Sequence, residues 1–251
     1  SNYIAAYQGL PPAPDGTPAT SYQGVTLDIG FAAYDFTKMY NPSGLNGTQF
    51  NSGMLTGQDA AGSAIMSFVH NHGGLVKISY GGASYAAPWA PNYFISQTAG
   101  WPGNSATLAA GVVDVVNILG LDGVDFDIED PQPGAYTAQQ FAQQLTTFLQ
   151  SVRSGLGPDK VITLTIPGQG WGTYWQYLAQ NVAAISGLVN AINFMEYDIW
   201  VNDKLPGGYP EQINADMTTY TSPTNQSPAP NWSPGWGIPP GLIQVGMMPG
   251  N

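Results

Sequence analysis

Between Leu121 and Asp130 the chain reads Leu-Asp-Gly-Val-Asp-Phe-Asp-Ile-Glu-Asp, with large hydrophobes and acids in strict alternation from Val124 to Glu129. Successive side chains of a strand point to opposite faces, so Val124, Phe126 and Ile128 form one row and Asp125, Asp127 and Glu129 form the other. The apolar row requires a packed layer against it, which turns the acidic row into an enclosed space rather than onto a wet surface. Carboxyl groups crowded in such a space cannot all ionise freely, so at least one is expected to keep its proton to higher pH than in water. A retained proton is what a general acid needs. A calcium loop of the EF-hand kind would need polar intervening residues and a turn glycine, where this stretch has Phe126 and Ile128. A merely structural acidic strand is the other alternative, and it is disfavoured because unpaired buried acids are rare.

The flanking sequence repeats one unit. Short apolar runs at Tyr3–Tyr7, Val25–Tyr34, Leu75–Tyr80, Val161–Ile166, Ala191–Tyr197 and Leu242–Met248 predict strands, with the acidic stretch as the fourth of seven. Helical spacing lies between them. It covers Thr56–His72, ended by Gly73-Gly74, and Ser105–Leu119, whose buried side is Val112, Val113, Val115, Val116 and Ile118. A third helix is predicted behind Thr137 and Gln140, which have the form of a capping box, and others at Tyr174–Leu188 and Glu211–Tyr220. Thr221–Pro240 is rich in Pro, Ser and Trp and is expected to be a surface loop. Strands separated by helix-length segments imply parallel βα units, and so many of them imply an α/β chain of the TIM-type (β/α)8 barrel class. No stretch has the character of a linker, so residues 1–251 are expected to form a single catalytic barrel domain.

Only 8% of the 251 residues are charged, against 43% hydrophobic, which leaves a surface of Gly, Pro, Ser, Thr, Asn, Gln and aromatic hydroxyls, as is common outside cells. The formal charge of -11 excludes nucleic acid and anionic membranes as partners, and the five bases (Lys38, Lys77, Arg153, Lys160 and Lys204) are too scattered for a phosphate site. With no cysteine there is no disulfide or thiolate chemistry. No apolar run is long enough to span a membrane. His70 and His72 have no acid or cysteine at metal-ligand spacing and are expected to be exposed helix-end residues, so no metal is expected. Asn46, Asn225 and Asn231 begin N-x-Ser/Thr sequons, which matter only in a eukaryotic secretory route.

Asp122, Asp125, Asp127 and Glu129 match the D-x-x-D-x-D-x-E signature, and through it the chain resembles family 18 glycoside hydrolases, the chitinases and related endo-N-acetylglucosaminidases. The resemblance implies hydrolysis of β-1,4 links in chitin or its oligosaccharides by a substrate-assisted retaining mechanism. In that mechanism Glu129 is the general acid, and Asp127 holds the acetamido N–H and stabilises the positive charge that develops. Asp125 shares a proton with Asp127, and Asp122, on the opposite parity, has a structural role. Ser79-Tyr80-Gly81-Gly82 is similar to the family's S-x-G-G strand, with Ser79 supporting Asp125. Met195-Glu196-Tyr197-Asp198 is similar to its M-x-Y-D strand, where the tyrosine hydroxyl binds the acetamido oxygen and Asp198 the sugar beside it. Glu196 points to the other face.

Tyr7, Phe31 and Gln169, at predicted strand ends, are substrate-contact candidates, as are Trp89, Trp101, Trp171 and Trp200 for stacking on sugar rings. No cofactor is implied. The expected partner is an N-acetylglucosamine-containing polysaccharide or oligosaccharide, and the protein is expected to be secreted and monomeric. The alternatives are an endo-N-acetylglucosaminidase acting on N-glycans and a non-hydrolytic chitin-binding lectin on the same barrel. The family's barrels have eight strands, so the eighth βα unit is expected to be absent from this chain, together with the tryptophan on it that floors the sugar subsite.

Overall fold

The computed structural model describes residues 26–31, 67, 69–71, 73–81, 105–118, 120–129, 137–168, 173–183, 187–198, 208–224 and 235–246. Six strands are β1 (Thr26–Phe31), β2 (Leu75–Gly81), β3 (Gly123–Asp127), β4 (Val161–Pro167), β5 (Ala191–Met195) and β6 (Ile243–Gly246). Among the described residues the helices α1 (Ser105–Ile118), α2 (Ala138–Leu156), α3 (Thr173–Ala183) and α4 (Tyr209–Thr221) accompany them, and residues 69–71 are helical as well. Each observed strand falls on a run read as a strand from the sequence, and the run at Tyr3–Tyr7 lies outside the described residues.

The strands form one sheet in the order β1-β2-β3-β4-β5-β6, and every neighbouring pair is parallel. A doubly wound sheet would reverse its strand order at a switch point. Six strands in unbroken chain order without such a reversal are the barrel arrangement. The pairings among the described residues run from β1 to β6, and closure of β6 onto β1 is not among them.

One face of this sheet is packed. Val76, Tyr80, Val124, Phe126, Ile162, Leu164, Ile166, Ile192 and Phe194 alternate along β2 to β5, and all belong to one core cluster with residues of α1, α2, α3 and α4. From α2 the cluster takes Phe141, Leu145, Phe148, Leu149 and Val152, spaced as one helical face. Its start is set by the predicted capping box. The Thr137 hydroxyl accepts from the Gln140 backbone N–H at 3.2 Å, and the Gln140 side chain accepts from the Thr137 N–H at 2.9 Å. On α1 the buried side is Val112, Val115 and Val116, with Val113 only half-buried. A Cβ on Gly155 would come within 2.6 Å of the Val113 side chain, so a glycine is needed where α2 meets α1.

The segment expected as a surface loop before β6 differs. Trp236 and Ile238 are buried in the core, and Trp236 packs on Tyr220 with ring centroids 4.8 Å apart. Backbone bonds from Trp236 and Ile238 to the carbonyls of Thr219 and Tyr220 lay this segment along the end of α4. A stretch without periodicity can still carry core anchors when its backbone bonds are satisfied by a neighbouring helix end.

Charged side chains tie the N-terminal edge of the sheet. Arg153 donates to the carbonyls of Leu188, Gly157 and Lys160 and to Asn190 Oδ1, and Lys160 donates to the Leu121 carbonyl at 2.6 Å. These bonds occupy chain ends that a packed apolar layer cannot satisfy.

Candidate active site

The face opposite the helices carries the polar residues of the same strands. Registers put Ser79, Asp125 and Thr163 side by side on β2, β3 and β4, and Gly81, Asp127 and Thr165 one layer further along, with Asn193 of β5 beside Thr165. Asp125 and Asp127 are buried, at 3% and 6% exposure. The enclosure expected from alternation alone is therefore real for these two acids.

Asp125 is the hub. Its Oδ2 accepts from the Ser79 hydroxyl at 2.9 Å, which is the support implied by the S-x-G-G resemblance. The Thr165 hydroxyl lies 2.8 Å from Oδ1 and 2.9 Å from Oδ2, Asn193 Nδ2 donates to Oδ1 at 3.3 Å, and the Thr163 hydroxyl makes a short bond to Oδ1. Two of these hydroxyls are themselves held. Thr165 accepts from Asn193 Nδ2 at 2.9 Å, and Thr163 accepts from the buried Lys77 ammonium at 2.7 Å.

Glu129 lies just past the end of the strand that carries Asp125 and Asp127. The strand ends at Asp127, and the Ile128 N–H makes one more bond, to the Thr165 carbonyl at 2.8 Å. Glu129 follows at the rim and is half-buried, so it is neither the last residue of the strand nor enclosed like Asp125 and Asp127. The physical reason is that pleated alternation holds only while the ladder continues. A position at the C-terminal rim of a parallel barrel is where reacting groups meet substrate.

Asp122 anchors the start of β3. Its Oδ2 accepts from the Val76 N–H at 2.8 Å and lies 2.6 Å from His70 Nε2, which is a structural arrangement. His70 is exposed as expected but carries this contact, which parity along one strand does not reveal.

At the end of β5, Met195 is buried and Glu196–Asp198 forms a 3-10 turn. Tyr197 is half-buried, and its ring edge would lie 3.1 Å from a Cβ added at Gly246, so β6 approaches it closely only because residue 246 has no side chain. Tyr7, Gly82, Gln169, Trp89, Trp101, Trp171 and Trp200 lie outside the described residues, as do the side chains of Phe31 and Asp198. The backbone register places Phe31 beside Ser79.

On the opposite side of the same turn sits a second acid pair. Glu196 is fully buried, accepts from the Tyr220 hydroxyl at 2.6 Å and faces Asp216, itself 1% exposed and held by Gln212 Nε2 at 2.9 and 3.0 Å. Burial pushes the Glu196 carboxyl up to about 8, against the Tyr220 hydrogen bond and with the help of neighbouring Asp216. Burial likewise raises Asp216. Glu196 Oε2 meets no N–H or O–H donor among the described residues, which fits one proton held between the two carboxyls.

Lys77, Thr163, Thr165, Asn193 and Asp216 were not singled out from the sequence. Parity was the available signal: Lys77 precedes Ser79 by two, Thr163 and Thr165 alternate in Val-Ile-Thr-Leu-Thr-Ile, and Asn193 precedes Met195 by two. For Asp216 on α4 no local signal exists. Among the described residues no group of three or more His, Asp and Glu side chains is placed to hold a metal, and no helix is long and apolar enough to cross a membrane.

Residues 29–238 match the family model described as Glycosyl hydrolases family 18. A curated relative, the secreted chitinase LysM12 of Penicillium expansum, is 30% identical over 127 residues, which are 49% of this chain and 8% of that protein. Similar solved structures include the chitinase domain of the spore coat protein CotE from Clostridium difficile (20% identity, TM-score 0.46, 74% of this chain and 52% of that one). Another is the chitinase RmChi1 from Rhizomucor miehei (20% identity, TM-score 0.49, 74% and 51%). A third is a GH18 chitinase from Pseudoalteromonas aurantia (22% identity, TM-score 0.47, 73% and 60%). The chain spans between half and three fifths of these three solved chains and a small part of the curated relative.

Proposed function

This chain belongs to family 18 of the glycosyl hydrolases, whose fold is the TIM-type barrel, and on that footing we propose that it hydrolyses β-1,4 bonds between N-acetylglucosamine units of chitin or chitin oligosaccharides. The observation that carries the reading is the acid ladder. Asp125 and Asp127 are buried on the face opposite the helices, Glu129 follows at the rim beyond them, and Ser79 holds Asp125 from the neighbouring strand.

Glu129 protonates the glycosidic oxygen while the substrate's own acetamido carbonyl oxygen attacks the anomeric carbon, giving an oxazolinium. Asp127 accepts the acetamido N–H and balances the charge that forms on the ring. The Tyr197 hydroxyl orients the acetamido oxygen, and Asp198 contacts the sugar. Glu129, deprotonated by the first step, then activates the water that opens the oxazolinium with retention. Asp125 stays beneath the reacting atoms and holds Asp127 in place. A surface poor in charge, and a relative named as a secreted chitinase, support action outside the cell.

Replacing Glu129 by Gln keeps shape and removes the acid. Hydrolysis of a chitin oligosaccharide is expected to fall about 100- to 10,000-fold while oligosaccharide binding persists. Undiminished hydrolysis in that variant would falsify the assignment. A high-mannose glycopeptide assayed beside the chitin oligosaccharide separates chitinase from endo-N-acetylglucosaminidase, and binding of both without cleavage by the parent protein identifies a lectin.

A further inference from the structure

Lys77 is a lysine buried on the face of the sheet opposite the helices, 3% exposed, in a chain with five basic residues. A buried ammonium is costly unless a partner compensates it. Its path is specific. Lys77 on β2 is in register with Gly123 on β3, yet its Nζ bonds Thr163 on β4, two strands away. Two strand spacings are roughly 10 Å, a distance that the long lysine stem suits. Gly123 presents no side chain on the intervening strand, and a Cβ there would fall 2.0 Å from the Val161 carbonyl oxygen.

The hydrogen-bond direction follows from chemistry. An ammonium only donates, so the Thr163 oxygen must accept from it, and the single hydroxyl proton of Thr163 is then free to point at Asp125 Oδ1. We propose that Lys77 is a positioning residue for glycoside hydrolysis: acting through the Thr163 hydroxyl, its ammonium holds Asp125 as the fixed, charge-paired base of the ladder on which Asp127 is oriented. Ser79, Thr165 and Asn193 complete the grip, but Lys77 alone brings a positive charge to it among the described side chains bonded to this network. The inference rests on the family 18 reading of the ladder.

Lys77→Met keeps length and removes the charge and the donor. The expected result is a fall in kcat of about 10- to 100-fold with KM within roughly two-fold, because the ladder is displaced and the sugar-binding surface is not. Lys77→Gln, whose amide still donates to Thr163, is expected to recover part of that loss. Thr163→Val is expected to match Lys77→Met, with the double variant no slower than either single one. An unchanged kcat in Lys77→Met, equal losses in the Met and Gln variants, or additive losses in the double variant overturn the proposal.

A readout without substrate distinguishes this failure from failure of the family reading. Thermal unfolding of Lys77→Met, Asp125→Asn and their combination is expected to be coupled, the second substitution costing less once the first is present. Additive shifts in Tm overturn the proposal even if the parent protein cleaves chitin, and coupled shifts support the charge pairing even if it does not.

Discussion

Two acid sites lie on opposite faces of one sheet and solve burial differently. On the face opposite the helices Asp125 receives bonds from Ser79, Thr163, Thr165 and Asn193, with an ammonium one hydroxyl away. On the helix-packed face Glu196 receives one side-chain donor among the described residues, from Tyr220, and its neighbour Asp216 one, from Gln212. Where donors converge, the carboxylate's solvation is replaced by the protein. Where they do not, burial raises the carboxyls of Glu196 and Asp216 above their ordinary range. Depth alone thus does not decide what a buried acid does; the supply of donors does. The difference also matches position, since Asp125 lies under the rim where a sugar would bind and Glu196 is wedged behind Tyr197, against Gly168 and α4.

The comparison breaks most visibly at its hub. Asp125→Ala leaves four donor side chains without their acceptor and the Lys77 charge without the carboxyl it reaches through Thr163, and is expected to cost about 3–5 kcal/mol of stability. Chemical denaturation measures this, and a variant as stable as its parent would show that the network is not what holds the inner face.

On the outer face the proton itself is the lever. Glu196 holds it up to about 8 when folded, against an ordinary 4.5. The folded state therefore binds more protons than the unfolded one across that window. The stability this contributes is complete below about 4.5 and is lost as pH rises toward about 8. Raising the pH from 5.5 to 7.5 is expected to remove about 3 kcal/mol, a loss that Glu196→Gln should reduce, leaving the part that belongs to the buried Asp216. Parallel pH profiles for parent and variant would contradict the proton-sharing account.

A smaller effect separates the two partners of that pair. Tyr220→Phe removes the donor that opposes the upward shift, so the loss of stability should extend to higher pH, with a cost near neutrality of about 1–2 kcal/mol. The least effect is expected at the strand start. Asp122→Ala frees the Val76 N–H and releases His70 at a half-exposed position, where about 1 kcal/mol is expected from thermal unfolding.

Much of the fold was legible because it is written in periods of two and of 3.6. The six described strands, the four labelled helices and the capping box at Thr137 follow from such local patterns, and so does the sidedness of Asp125 and Asp127. Trp236 and Ile238 were missed because the stretch that carries them has no period and is buried by its bonds to the end of α4. Lys77 read as one of a few scattered bases, since nothing local says that it reaches across a glycine to the next strand but one.

The sequence by itself determined the order of the elements, which face of each strand is polar, and the acid spacing that identifies the family. These are consequences of backbone geometry acting over a few residues. Tertiary structure alone decided which donors meet Asp125, that β3 ends two residues before Glu129, and that Glu196 finds Asp216 twenty residues later on a helix. Those outcomes depend on strand register and on helices packing side by side, and the distances that set solvation and charge exist only once the chain has closed on itself.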